Sequence, residues 1–504
     1  MHGYASPSQR AKNLPLGFVA LLLAAILVFA PLFRSGQPPL AQLVLELASV
    51  CLLVIILWTP QKFSVDKRQA LILGFFFLTP FFFLIPLPFG LIESLPGREF
   101  YGTVLTQIGA RKNAEFWSLS LVPFRTEAAW LLTLVPIAVF LGTRSLNFKG
   151  LRLLVILLLG MVTGQAILGL LQYGGRSDLL YLGMEQTRQT AVGTYTNRNH
   201  LAGLLAMTLP IALALLFYSI GRRDHRPPRW RKKIAFLASM RGHTAIGYGA
   251  IALLLLLAII FTRSRAGIAL AMLGILLATF AFSRRIGGTN IYGTIGTIVT
   301  ITIGIGLVIG LAPVLDRFSI SGTIEDARWA IFSATTTGIG YFFPLGSGPG
   351  SFSQVFNAFQ PLELGRWFVN HAHNDYLEWL FEGGAFAASL ILLFIALYLR
   401  QWTKVWISDS WSQLRFIRVG AGIGLFLMLG HSLVDYNLHT PANIVYFAFL
   451  SGIFFADPDI EEERKRSRRS PKVGDTDIQN VSQPQPVRIT PQVAPDQIRN
   501  PFLD

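Results

Sequence analysis

The chain has 504 residues, 52% of them hydrophobic and only 14% charged, with a formal net charge of +16. A soluble domain carries about 25% charged residues, so these figures exclude an ordinary soluble enzyme and imply repeated passage through a bilayer. The basic excess is not a nucleic-acid footprint, because its clusters flank apolar runs, where topology and anionic lipid account for them.

Twelve apolar runs approach the ~20 residues that a spanning helix needs: Leu16–Phe33, Leu40–Trp58, Ala70–Phe89, Ala128–Thr143, Leu151–Leu171, His200–Ile220, Thr244–Phe261, Ala266–Ser283, Tyr292–Leu315, Ala385–Arg400, Val419–Val434 and Ala442–Ala456. Pro80 and Pro86 are expected to kink the third. Arg10 and Lys12 precede the first run as in a secretory signal, but the run is long and no small-x-small cleavage site follows. It therefore reads as a retained helix. The single cysteine, Cys51, allows no intrachain disulfide.

With the N-terminus inside, 30 of the 43 Lys and Arg residues fall on the cytoplasmic side and 13 outside, so both termini are expected to be cytoplasmic. The basic segment from Arg222 to Lys233 anchors that orientation. Residues 1–456 read as the membrane domain. Residues 457–504, a charged run followed by a Pro-, Gln- and Asp-rich end, read as a disordered cytoplasmic tail, since they cannot bury enough apolar surface to fold.

Three long outer loops follow: Gly90 to Glu127, Gln172 to Asn199, and Asp316 to Gly384. In the second, Gly193 to His200 suits a turn and helix cap, while Arg198 and His200 exceed what a cap requires and are candidates for substrate contact. Thr262-Arg263-Ser264-Arg265-Ala266-Gly267 makes a tight turn, with Ser264 as N-cap and Arg265 in the first helical turn. A cation there opposes the helix dipole unless an anion binds; the alternative is an arginine reaching lipid headgroups. Arg328 lies in an amphipathic helical pattern, where it either serves the site or pairs with Glu325. Gly346-Ser347-Gly348-Pro349-Gly350 lacks the Gly-Lys-Ser/Thr of a nucleotide loop and reads as tight turns permitting close backbone approach.

His371, His373 and Asp375 alternate, so in an extended segment they would share a face. Two readings stay open: metal ligation, for which no second cluster of suitable spacing appears, or a general-base histidine, whose ordinary pKa near ~6.5 suits proton transfer at neutral pH. The polar segment His431 to Pro441 either lines the same cavity or satisfies backbone at the membrane edge.

Together Gly193–Ala202, Thr262–Gly267, Gly346–Phe352 and His373–Leu377 resemble, in order and spacing, the O-antigen ligase and O-antigen polymerase superfamily of bacterial inner-membrane glycan transferases. The resemblance implies an all-α, GT-C-like fold of about twelve spans with a large periplasmic loop, 316–384, before the tenth. It implies an undecaprenyl-diphosphate-linked glycan as donor and a glycolipid or glycan acceptor such as lipid A core, in a single inverting displacement without a metal or cofactor. Arginines matching Arg265 and Arg328 would hold the diphosphate, with Arg198 and Asn374 as further substrate-binding candidates, and His373 would activate the acceptor hydroxyl. His371, Asp375, His200 and Asp435 are additional site candidates. The competing readings are a polysaccharide polymerase, a protein O-oligosaccharyltransferase and a transporter. Transporters tend to gather ionisable groups near the midplane of paired halves, whereas here they gather at one face.

Overall fold

The computed structural model describes residues 7–58, 65–109, 115–175, 181, 190–221, 239–286, 322–407 and 411–456. Within them the chain runs α1 Pro7–Leu32, α2 Pro39–Trp58, α3 Lys67–Leu84, α4 Phe89–Glu93, α5 Glu99–Gln107, α6 Pro123–Ser145, α7 Phe148–Gly174, α8 Arg198–Ile220, α9 Met240–Thr262, α10 Arg265–Ile286, α11 Gly322–Phe342, α12 Phe352–Val355, α13 Asp375–Ile407, α14 Gln413–His431 and α15 Pro441–Phe454. Three-residue strands β1 Pro86–Pro88 and β2 Phe116–Ser118 pair antiparallel and are the only sheet among the described residues. Nine described helices are long and apolar enough to cross a membrane, and Gly17–Leu32 and α15 are shorter apolar helices. The chain is an all-α, multi-pass membrane protein. The expected span Tyr292–Leu315 and the tail 457–504 lie outside the described residues.

Of the expected boundaries that move, two have a plain local cause. The third span stops at Leu84, so Pro80 lies inside α3 but Pro86 belongs to β1. The reason is local, because a residue before proline disfavours the helical region, and Ile85 is extended at ψ 124°. The tenth span begins ten residues early, at Asp375, and is broken at Gly384, whose φ of 50° and ψ of −129° interrupt the helix. The end of the stretch between α10 and the expected span thus contributes a polar half-helix, Asp375–Gly383, to the same element.

α8 and α14 form the centre. Their hydrophobic stretches are buried on nearly all sides, which is why α8 shows no polar stripe. The two axes approach at Gly420 and Gly424, where a Cβ would press on the carbonyls of Pro210 and Met207. Small residues four apart give such close packing in lipid, where dispersion replaces the hydrophobic drive.

A second, smaller core, between α11 and the start of α13, is built on Phe342, Phe352, Phe356 and Phe381 with Ile331, Leu364 and Ala372. Each fully buried phenylalanine contributes roughly 1.5–3 kcal/mol. Here the glycine-rich segment does what close backbone approach allows. Ser347 N donates to Phe381 O at 2.9 Å and Gly348 N to Glu382 O at 2.8 Å, satisfying carbonyls that the break at Gly384 leaves open. Phe352 N donates to the Glu382 carboxylate at 2.9 Å. The buried guanidinium of Arg98 ties the first long loop to this knot, donating to Leu119 O and Gly346 O at 2.7 Å each.

Gly346 has φ +83°, and a Cβ on it would collide with the Glu382 carbonyl. Gly346→Ala is therefore expected to destabilise the detergent-solubilised protein by at least ~1–3 kcal/mol. Gly340→Ala, in α11 with open space around it, should be neutral or stabilising by about 0.4–1 kcal/mol. A thermal-shift comparison of the two variants checks both.

Candidate active site

Three segments meet at one end of the bundle: the start of α8, residues 371–378 entering α13, and the turn 432–440 between α14 and α15. Asn374 caps α13, its Oδ1 accepting from Tyr376 N at 3.0 Å and Leu377 N at 3.1 Å while its Nδ2 donates to Leu433 O at 2.8 Å. Its amide thus positions the helix. Asp375 N donates to Ser432 O at 2.9 Å, seaming the two outer segments together.

The alternating histidines do not share a face. His373 has a left-handed backbone at φ 54°, uncommon for a residue with a side chain and a hallmark of functional strain. That turn sends the two rings to different partners. His371 Nδ1 lies 2.8 Å from Glu378 Oε1, and its ring stacks on Tyr436 at 4.1 Å. His373 Nδ1 lies 3.4 Å from Asp435 Oδ1, with Tyr436 against its ring at 5.1 Å. Asp375 is fully buried and faces His439 instead, 2.6 Å from its Nδ1, while also accepting from Leu438 N at 3.0 Å. The extended-segment metal reading built on His371, His373 and Asp375 is corrected by this geometry.

Asp435 is the hub. Its carboxylate accepts from Asn199 Nδ2 at 2.6 Å and Tyr436 N at 2.9 Å, and lies 3.9 Å from His200 Nε2. Burial raises its pKa, but interactions with His200 and His373 outweigh that and hold the carboxyl well below its usual range. His200 is fully enclosed, between Thr440 Oγ1 at 2.9 Å and the edge of Tyr436, and faces Asp435 from inside the fold. Burial, then the Asp435 charge, push the Tyr436 hydroxyl up to about 12, and the charge of Arg328 opposes them. Arg328 is half-buried on α11, and the side chain of Glu325, its other expected partner, lies outside the described residues.

The turn before α10 folds as expected. Ser264 Oγ accepts from Gly267 N at 3.2 Å. Gly267 packs so closely on Ala202 of α8 that a Cβ there would stand 2.5 Å from the Ala202 Cβ. That contact sets the first turn of α10, with half-buried Arg265, beside the first turn of α8, with half-buried Arg198.

Three residues without an expected role belong to the assembly: Glu378, Glu382 and His439. With Asp375, the glutamates repeat at three and four residues and share one helix face, a periodicity legible in the sequence. His439 touches Asp375 and Glu378, the latter 3.4 Å from its Nε2. Burial alone would lower its pKa; the Glu378 charge, then the hydrogen bond and charge of Asp375, more than offset this and push it up to about 10.

No curated protein matches the chain. Residues 250–392 match the family model described as O-Antigen ligase. The matched stretch holds Arg265, Arg328, the glycine-rich segment and both histidines 371 and 373, and the fold brings His200 and Asp435 to it from outside. That match supports placing the chain in the O-antigen ligase superfamily.

Proposed function

We propose that the protein transfers a glycan from undecaprenyl diphosphate to an acceptor hydroxyl, of lipid A core or a similar glycolipid, on the outer face of a bacterial inner membrane. The observation that carries this reading is His373, half-exposed and held in a left-handed backbone beside the buried carboxylate of Asp435. A carboxylate at Nδ1 fixes the ring with Nε2 free to accept a proton. His373 takes the proton of the acceptor hydroxyl. The oxygen then attacks the anomeric carbon, the bond to the diphosphate breaks, and the configuration inverts. Arg265 and Arg328, with Arg198 at the neighbouring helix start, stabilise the charge that develops on the departing diphosphate; guanidinium forks match phosphate oxygens and need no divalent ion on the substrate.

Purified protein in nanodiscs with a defined lipid-linked donor tests the reaction. Undecaprenyl diphosphate should be released only when acceptor is added; release that ignores acceptor, or mere translocation of donor, rejects the reading. A ligase-null cell should accumulate long glycan on the lipid carrier. Accumulation of single repeat units would assign polymerisation instead.

Orientation is tested separately. A reporter active only in the cytoplasm should work when fused after Lys233, and one active only outside should work after Glu363. Both sites reporting the same side would overturn the topology.

A further inference from the structure

We infer that His371, Glu378 and His439 form a zinc-type divalent-cation site adjoining the proposed base. One ligand atom from each lies within 4.8 Å of the other two. Two imidazoles with one carboxylate is a donor set that suits zinc, leaving a fourth position open. Zn–N and Zn–O bonds of about 2.0–2.2 Å put tetrahedral ligand atoms ~3.3 Å apart. His439 Nε2 already stands 3.4 Å from Glu378 Oε1, while His371 Nδ1, at 2.8 Å, need retreat only by about half an ångström.

The surroundings are those of a ligand shell. His439 has its other nitrogen 2.6 Å from the fully buried Asp375 carboxylate, the arrangement that aims a metal-binding imidazole and raises its basicity. His371 is held flat against Tyr436, and the second Glu378 oxygen accepts from Ala372 N at 2.8 Å. Three carboxyl groups on one face, Asp375, Glu378 and Glu382, are all buried, and buried acids of this kind are found paired or coordinating a metal. The two imidazoles remain 28% and 18% exposed, which gives the ion a path from the outer solution. The left-handed turn at His373 keeps that ring out of the set and on Asp435. Binding displaces the ring proton at His439 to solvent. The ion would then clip residues 371–378 to the turn 437–439 and fix Tyr436, against which His373 rests, without touching the reacting atoms.

The test uses the full chain in detergent, stripped with chelator and dialysed against a tenfold excess of zinc or cobalt. Wild type should retain about one zinc per chain by mass spectrometry and show tetrahedral cobalt absorption. Its melting temperature should rise when zinc is added. His371→Ala, at a half-exposed position outside both hydrophobic cores, should lose retention and shift alike. Asp375→Asn should weaken binding by about 10–100-fold. His373→Ala should bind as wild type. Wild type that stays metal-free, or equal zinc in wild type and His371→Ala, overturns the inference, the latter by marking an adventitious ion only. Loss of zinc in His373→Ala would overturn the ligand set. Metal content is read without transfer, so failure here leaves the glycosyltransferase reading standing.

Discussion

His373→Ala should lower glycan transfer by at least the ~10²-fold that a positioned general base supplies, while the protein stays folded and inserted. His373 is half-exposed and belongs to neither hydrophobic core, so the packing of those cores is not built on it. Its backbone does matter, because φ is 54°. His373→Asn is the sharper variant, since asparagine tolerates the left-handed region yet cannot take up the proton. Both variants should bind donor as wild type does, because the diphosphate is assigned to the arginines. Normal transfer by both, with loss in His371→Ala, would move the base to the other ring.

The arginines should give the next largest effect. Arg265→Lys and Arg328→Lys keep the charge but lose the planar fork, and removal of an aligned donor to developing charge costs about 10²–10³ in turnover. The loss should be smaller than for alanine and should fall on kcat with donor in excess. Arg265 stands in the first turn of α10, where a cation opposes the helix dipole unless an anion arrives. Full activity in both Lys variants would reassign them to headgroup anchoring.

Element type was legible because apolar length decides it: in lipid, backbone groups must be satisfied within the segment, so each described run became a helix. The boundaries that moved were decided by other forces. Leu84 ends α3 because Pro86 restrains Ile85, a local signal that hydropathy overlooks. Asp375 starts α13 because Asn374 caps it, although the half-helix that follows is too polar to read as a span. At the site, the motifs singled out His373, Arg265 and Arg328 as candidates, whereas the shared face expected of His371, His373 and Asp375 is absent, since a single left-handed residue undoes an extended face. His439 and Arg98 could not be paired from the chain alone. Their partners lie 64 and 248 residues away and are brought to them only by packing.

The break at Gly384 has a mechanical consequence. Below it, α13 answers to the bilayer, tilting as the hydrocarbon thins or thickens. Above it, the half-helix answers to the glycine-rich segment, which grips its final carbonyls and is itself held by Arg98. A continuous rod would carry every tilt of its lower part to Asp375 and the histidines before it. A rod jointed at one residue lets the two parts obey different masters, so the cluster of Asp375 and the histidines keeps its register while the membrane around it changes depth.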